Sequence, residues 1–330
     1  MGATERRNYR PLRIVAIGGG HGLASMLRGL KHYTSDVTAI VTVADDGGSS
    51  GMLRSELGIL PPGDIRNCIL ALSNVEPTME RLMNYRFSEG SLSGQCFGNL
   101  FLAAMNGISS SFDEAVRKTS DILAITGRVL PVTTSDVHLE AEFDNGERIL
   151  GESKIFYAKK LNHSYIRRVR LLPENPPALP MSLLAIEQAD LIVIGPGSLY
   201  TSIIPNFLVQ GIREAVARAK APKIFVMNIM TQEGETEDCT GYDHVAALLR
   251  HAPNTITACL ANDRSFSPEE LEPYRKEGVE PIRLEREKIE RLGIRVAEAP
   301  LAQVNRYIRH DGDKLAGALL RLYRELAEGD

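Results

Sequence analysis

A run of four glycines and one histidine, Gly18-Gly19-Gly20-His21-Gly22, is the first segment of this chain with the composition of a ligand-binding loop. It lies between an apolar run and an amphipathic run. Glycine lets the backbone turn tightly and approach a ligand, because no Cβ stands in the way. The N-terminus of a following helix would offer free N–H groups and partial positive charge to a phosphate. The segment therefore predicts phosphate binding, and the alternative is a tight turn without a ligand.

The second such segment is Asp45-Asp46-Gly47-Gly48-Ser49-Ser50-Gly51, which follows a second apolar run. A carboxylate at the end of this strand could accept hydrogen bonds from a ribose. Asp45 and Asp46 could instead be ligands of Mg²⁺ beside a diphosphate, because hard cations prefer oxygen ligands. A solvated turn is the remaining alternative, since Asp, Gly and Ser are all turn residues. Both binding interpretations stay open.

The third segment begins with Gly195-Pro196-Gly197-Ser198, again after an apolar run, and continues through Thr201 to Asn206. It adds hydroxyl groups to the backbone N–H donors, and the alternative is a plain strand-to-helix turn. Because the carboxyl ends of parallel strands meet at one sheet edge, we expect this loop beside the first one. Two such loops together suit a ligand with more than one phosphate.

Three further polar blocks, residues 62–67, 94–99 and 228–236, are more ambiguous. Asp64 either caps a helix or contacts the ligand, and Arg66 and Asn67 would reach an anion or a base edge. The block around Asn99 predicts either close helix packing or binding, and the block from Asn228 either lines the same sheet edge or is a solvated loop. The predicted binding residues are Gly18, Gly19, Gly20, Gly22, Asp45, Asp46, Ser49, Ser50, Asp64, Arg66, Asn67, Asn99, Gly195, Gly197, Ser198, Thr201, Asn206, Asn228 and Thr231, and the catalytic candidates are Asp45, Asp46 and Arg66.

Alternating strands and helices are predicted to position these segments. Apolar runs predict strands over 12–17, 37–43, 191–194, 223–227 and 255–260, and amphipathic runs predict helices over 22–31, 206–219, 242–250 and 314–326. Residues 44–62 are predicted as a loop-rich stretch. The order strand, glycine turn, helix, strand implies a right-handed crossover and a parallel pair. The fold class is therefore α/β, with a doubly wound, mostly parallel sheet.

Residues 128–175 differ in character and predict a small β-rich insertion. Strands are expected over 128–133 and 137–143, and Asn145-Gly146 predicts a hairpin turn into a third. Pro131 makes the first of these an edge strand, because proline cannot donate to a sheet. We expect one domain over 11–330 that contains this insertion, preceded by a flexible N-terminus over 1–10.

Composition excludes several classes of protein. The chain has 330 residues and a net charge of −4, without the basic excess of a nucleic-acid-binding protein. Its four cysteines show no metal-ligand or redox spacing. No apolar run is long enough to span a bilayer, and residues 1–10 lack the apolar stretch of a signal peptide. We therefore expect a cytoplasmic protein that does not bind nucleic acid and does not span a membrane.

Taken in order, the six blocks resemble the motifs of the bacterial gluconeogenesis factor family, over about residues 12–310. This family is related to the 2-phospho-L-lactate transferases of deazaflavin coenzyme synthesis. The resemblance implies a Rossmann-like core, binding of a nucleotide-sugar such as UDP-N-acetylglucosamine, and regulation of cell shape and of growth on gluconeogenic carbon sources. The chain departs from the transferase branch, since Leu23 and Ala24 replace its Pro-Lys pair and the chain has no tryptophan.

Three hypotheses follow. In the first, a non-enzymatic regulator binds the diphosphate of a nucleotide-sugar on the two glycine loops and acts through a protein partner in cell-wall regulation. In the second, a 2-phospho-L-lactate transferase-like enzyme uses Mg²⁺ held by Asp45 and Asp46, with Arg66 stabilising phosphate charge. The third, an NAD(P)-dependent oxidoreductase, is disfavoured because Leu23 stands at the third glycine position of the dinucleotide motif. The oligomeric state, a homo-oligomer included, stays open.

Overall fold

A computed structural model describes residues 10–162 and 164–328 of the chain. The predicted flexible N-terminus therefore lies, except for Arg10, outside the described residues. The strands are β1 (Ile14–Gly18), β2 (Val37–Val41), β3 (Arg128–Pro131), β4 (His138–Phe143), β5 (Arg148–Leu150), β6 (Ile166–Leu172), β7 (Leu191–Ile194), β8 (Lys223–Val226), β9 (Ala258–Asn262), β10 (Arg295–Ala299), β11 (Ala302–Val304) and β12 (Ile308–His310).

Helices surround these strands. They are α1 (Gly20–Leu30), α2 (Gly48–Leu57), α3 (Gly63–Leu72), α4 (Pro77–Met83), α5 (Phe97–Gly107), α6 (Phe112–Ile122), α7 (Glu152–Asn162), α8 (Pro180–Gln188), α9 (Ile204–Phe207), α10 (Ile212–Arg218), α11 (Gly241–His251), α12 (Pro268–Leu271), α13 (Arg286–Glu290) and α14 (Gly312–Glu328). Short 3₁₀ helices span Gly90–Leu92 and Glu272–Glu277, and a π-helix spans Leu199–Ile203. Within the described residues, no helix combines the length and apolarity needed to cross a membrane.

Seven parallel strands form the central sheet, in the order β10-β9-β8-β7-β1-β2-β3. Strand β1 is central, and all five of its residues are buried because helices cover both faces of the sheet. From β1 the chain first builds outward to β2 and β3, then returns to the other side of β1 at β7. The strand order therefore reverses between β1 and β7, the place where Rossmann folds bind nucleotides. The predicted Rossmann-like α/β fold is confirmed.

A second, antiparallel sheet has the order β5-β4-β6 and occupies the region predicted as a β-rich insertion. Leu139, Ala141 and Phe143 of β4 point into the main core, whereas the alternate residues face outward. Strand β3, with Pro131 at its end, belongs to the large sheet as its edge strand. The insertion's boundaries at 128 and 175 stay a prediction.

Two segments differ from the sequence prediction. Residues 44–62 do not form one loop, because α2 begins at Gly48, and Leu53, only 2% exposed, packs with Ile59 and Ala103. The turn residues Gly48 to Gly51 form only the first turn of α2. The helix predicted over 206–219 is divided into α9 and α10, because Gly211 has a φ of +87° and starts a new helix.

The first and last helices pack backbone to backbone through two glycines. A Cβ on Gly29 of α1 would overlap the carbonyl group of Gly312, and a Cβ on Gly312 would overlap the Ser25 carbonyl oxygen. The side chain of Ser25 also donates a hydrogen bond to the His310 carbonyl (3.1 Å). These contacts fix β12 and α14 against α1, the helix that follows the first glycine loop.

We predict that Gly29→Ala lowers the free energy of unfolding by about 1–3 kcal/mol, because the added methyl group must push α14 away from α1. Chemical denaturation measures the change. The control is Gly317→Ala in α14, whose Cβ would meet only side-chain atoms at 3.6 Å. We expect that variant to be up to about 1 kcal/mol more stable, through the higher helix propensity of alanine. Equal effects of the two substitutions would contradict the proposed backbone contact.

Candidate functional site

The two predicted glycine loops pack directly against each other at the carboxyl ends of β1 and β7. The Gly195 N–H donates to the Ile17 carbonyl (2.8 Å), and a Cβ on Gly22 would lie only 2.8 Å from the Pro196 carbonyl oxygen. Gly20 and Gly195 have φ values of +68° and +78°, which favour glycine. The prediction that the two glycine loops lie side by side is therefore confirmed.

Two buried or half-buried asparagine amides hold the loops in place. Asn228, after β8, accepts a hydrogen bond from the Gly197 N–H (3.2 Å) and donates to the Gly197 carbonyl (2.8 Å). Asn206 donates to the Gly18 carbonyl (3.2 Å) from a fully buried position. Both predicted residues therefore contact loop backbone, and Asn228 also lines the cleft described next.

An open cleft of about 520 Å³ lies above the loops. Seven of the predicted binding residues line it: Gly19, Gly20, Gly22, Gly197, Ser198, Asn228 and Thr231. Thr231 is held by its hydroxyl, which accepts from the Glu280 N–H (2.9 Å). The cleft volume is within the range of about 300–1,000 Å³ that is usual for small-molecule sites.

The far wall of the cleft was missed by sequence reasoning. It consists of Tyr274 and of Tyr307, Ile308, Arg309 and His310 in the hairpin formed by β11 and β12. The available signal was the alternation at 307–310, where Tyr307 and Arg309 are exposed and the other two residues are buried. The strands are only three residues long, so the signal is weak.

Positive charge from Arg309 adjoins this cleft. Its guanidinium carbon lies 6.0 Å from the centre of the Tyr307 ring. His21, whose side chain is exposed, also lines the cleft. Partial desolvation, together with the charges of Arg309 and more distant arginines, lowers the pKa of His21. His21 is therefore mainly neutral at pH 7, and Arg309 is the permanent cation of the lining.

Asp64 lies directly behind the first glycine loop. Its carboxylate accepts a hydrogen bond from the Gly20 N–H, and a Cβ on Gly19 would lie 2.6 Å from its Oδ2 atom. Burial and the neighbouring Asp45 charge raise its pKa to about 7. The N-cap of α3 is Pro62, without a side-chain hydrogen bond, so Asp64 does not cap its own helix. It contacts the backbone of the predicted phosphate loop instead.

The adjacent carboxylates of Asp45 and Asp46 point to different partners. Asp45 accepts from the Gly47 N–H (2.9 Å), and burial raises its pKa. Asp46 accepts from the Ser153 N–H (2.8 Å) at the start of α7. Over residues 10–162 and 164–328, no three His, Cys, Asp or Glu side chains are grouped as metal ligands. The metal role of this pair stays a prediction.

Four other predicted residues form a buried polar network behind the loop. Ser49 donates to Gln95 (2.7 Å) and accepts from the Asn99 amide (3.1 Å). Arg66, 8% exposed, donates to Asn67 (2.7 Å), to Asn84 (3.1 Å), to the Met83 carbonyl and to Cys96 Sγ. Because buried donors need partners, these contacts direct the guanidinium into the protein. The structure therefore places Arg66 in this network and not in the cleft.

The remaining predicted residues lie at the edges of the site. The Ser50 hydroxyl accepts from the Gly63 N–H (3.1 Å) and connects α2 to α3. The Thr201 N–H donates to Glu235 Oε1 (3.0 Å), as does the Tyr200 N–H (2.7 Å), so this carboxylate occupies the start of the π-helix. Thr201 does not line the cleft, whereas its neighbour Ser202 does.

Comparison with known proteins gives consistent matches over most of the chain. The profile of the family described as 2-phospho-L-lactate transferase CofD matches residues 14–302. A protein of Thermoanaerobacterium thermosulfurigenes is 52% identical over 314 residues, 94% of this chain and 96% of that protein. The protein named Gluconeogenesis factor from Bacillus subtilis (strain 168) is 46% identical over 317 residues, 95% and 98% of the two chains.

Solved structures also match. A crystal structure of a UPF0052 family member from Bacillus halodurans superposes with a TM-score of 0.91 at 41% sequence identity. The match covers 95% of this chain and 100% of that one. At this identity the likeness extends beyond the fold to the sequence.

We predict that Glu152→Gln stabilises the protein at pH 8 and has little effect at pH 4. Burial, followed by the charges of Asp45, Asp46, Glu235 and Asp64, raises the pKa of Glu152 from 4.5 to about 7. The folded state therefore binds more protons between these pH values, and the stability present below pH 4.5 is lost as the pH rises through about 7. Removing the ionisation should restore on the order of 2 kcal/mol at pH 8, measured by urea denaturation.

The control for this measurement is Glu287→Gln, on the exposed surface of α13. It should leave the free energy of unfolding nearly the same at both pH values, because an exposed surface charge contributes little to stability. An equal gain from Glu152→Gln at pH 4 and pH 8 would show that the carboxyl is not electrostatically strained.

Proposed function

This chain belongs to the gluconeogenesis factor family related to 2-phospho-L-lactate transferase CofD, and from that membership we propose that it binds a nucleotide-sugar in the cleft. UDP-N-acetylglucosamine is the example of such a ligand. The proposed role is regulatory: the ligand-bound protein controls cell shape and growth on gluconeogenic carbon sources. It would act in the cytoplasm through a protein partner in cell-wall regulation.

The observation that carries this proposal is the packing of two glycine loops into one floor at the β1–β7 switch point. Gly19, Gly20 and Gly22 line the cleft from one loop, and Gly197 and Ser198 line it from the other. Because most of these residues are glycines, a ligand in the cleft would meet the backbone of two loops instead of one. Backbone N–H groups at the start of α1 favour phosphate oxygens. Two loops support a diphosphate better than a single phosphate.

The charge of the lining supports an anionic ligand as well. Among the described residues that line the cleft, none is Asp or Glu, whereas Arg309 is a fixed cation. The acidic side chains Asp45 and Asp64 lie behind the floor, so they do not meet the ligand across the open space. The volume of about 520 Å³ leaves room for a base and a sugar beside the diphosphate.

A transferase-like enzyme is the second candidate, favoured by the match of the 2-phospho-L-lactate transferase CofD profile to residues 14–302. In this candidate Asp45 and Asp46 would hold Mg²⁺, since carboxylates are oxygen ligands of the kind that Mg²⁺ takes. Arg66 gives this candidate no support, because its guanidinium is engaged inside the protein. Turnover separates the candidates: a regulator leaves its nucleotide-sugar intact, whereas a transferase consumes a guanosine diphosphate donor when Mg²⁺ and a deazaflavin are present.

We predict that UDP-N-acetylglucosamine at one hundred times its dissociation constant raises the free energy of unfolding by about 2.7 kcal/mol. Thermal unfolding with and without Mg²⁺ measures this, with UDP, guanosine diphosphate and NAD as comparison ligands. Stabilisation by guanosine diphosphate or NAD, without any by the nucleotide-sugar, would contradict the proposal and favour the transferase or the oxidoreductase.

We also predict that Arg309→Met weakens binding of the nucleotide-sugar about tenfold or more, because a charged hydrogen bond to phosphate contributes about 1.5–3 kcal/mol. Titration calorimetry measures the dissociation constant. Arg306→Met is the matched control, since Arg306 also lies over the Tyr307 ring, at 5.6 Å, but does not line the cleft. The role of Arg309 is disproved if both variants lose affinity equally.

A further inference from the structure

Ser202 occupies the junction of the two glycine loops. A Cβ on Gly20, in the first loop, would lie 3.7 Å from the Ser202 hydroxyl oxygen, and a Cβ on Gly197, in the second, would lie 3.6 Å from the Ser202 Cβ atom. The side chain is half-buried and lines the cleft. Ser202 therefore lies against both halves of the floor.

A π-turn produces this position. The Ser198 carbonyl accepts from the N–H groups of both Ser202 and Ile203, at 2.9 Å each, so the backbone makes one wider turn over Leu199–Ile203. A π-turn inserts an extra residue and rotates the following side chains relative to an α-helix. In this chain the result is that Ser202 lines the cleft and Thr201 does not.

Asn206 holds the turn on the first loop. Its amide donates to the carbonyls of Ser202 (2.8 Å), Ile203 (3.2 Å) and Gly18 (3.2 Å), which joins the π-turn to the end of β1. At the other end of the turn, Glu235 accepts from two backbone N–H groups. Both ends of the turn are thus fixed, and the position of the Ser202 side chain with them.

The Ser202 hydroxyl also differs from its neighbours in its bonding. The Ser198 hydroxyl donates to Gln232 Oε1 (2.8 Å), and those of Ser49 and Ser50 belong to the network behind the floor. Within the described part of the chain, the Ser202 hydroxyl makes no hydrogen bond, although it lies beside the backbone of both loops. It has its donor available for a ligand.

We propose that the Ser202 hydroxyl is the side-chain donor to the diphosphate, at the oxygen that lies between the two loops. This inference rests on the proposed function, because it names the contact that makes the same site selective. A single phosphate can be held by one loop alone. A diphosphate spans both loops, so it gains the Ser202 hydrogen bond, and the site prefers diphosphates to monophosphates.

Titration calorimetry with pyrophosphate, inorganic phosphate and UDP-N-acetylglucosamine tests this on wild type, Ser202→Ala and the matched control Thr201→Val. We expect Ser202→Ala to bind pyrophosphate and the nucleotide-sugar about tenfold more weakly, as for a lost hydrogen bond to a charged group. Thr201→Val should bind like wild type. Ser202→Cys, which keeps the shape with a weaker donor, should fall between wild type and Ser202→Ala.

The outcomes separate this inference from the proposed function. Unchanged affinity of Ser202→Ala for both diphosphates, with an unchanged ligand-free unfolding midpoint, overturns the role of Ser202 and leaves the proposed function standing. If wild type binds pyrophosphate but no nucleotide-sugar, the proposed function fails, and the pyrophosphate titrations of the variants decide on Ser202. A wild-type protein that binds none of the three overturns both.

Discussion

The close approach of two backbone turns across β1 and β7 is the constraint on which the rest of this structure depends. Gly22 and Pro196 leave no space for a Cβ between them, and Gly195 is hydrogen-bonded to Ile17. Because the contact is made by main chain, no side chain can adjust to restore it. The amides of Asn206 and Asn228, the π-turn and the parallel register of the strands all serve to keep the two turns in contact.

Electrostatics at this floor are governed by carboxylates on its reverse side. Asp64 accepts from the Gly20 N–H and Glu235 from the start of the π-helix, so protein charges already stabilise two positive helix ends. The field of these N–H donors is therefore partly neutralised from behind the floor, and Arg309 is the cation that lines the cleft itself.

The sequence predicted what local chemistry determines and missed what the tertiary structure determines. Glycine loops after apolar runs were recognisable, because only glycine allows those turns, and their meeting followed from the rule for parallel strands. The contacts of Arg66 could not be recognised in the sequence, because its partners Met83 and Cys96 come from later segments of the chain. Arg309 was not predicted for a similar reason. Its hairpin is short, and only the packing of this hairpin against α1 brings Arg309 to the cleft. α2 was missed because its first turn is made of turn residues.

The contact between Gly29 and Gly312 has a consequence for how the protein is made. Helix α1 is synthesised before β12 and α14, because it precedes them in the chain. Until β12 and α14 have left the ribosome, the cleft lacks the hairpin that forms most of its far wall, and the apolar face of α1 that α14 covers is exposed to water. The cleft is therefore complete only once these elements have packed on α1, and a product truncated before β12 would expose that apolar helix face to solvent.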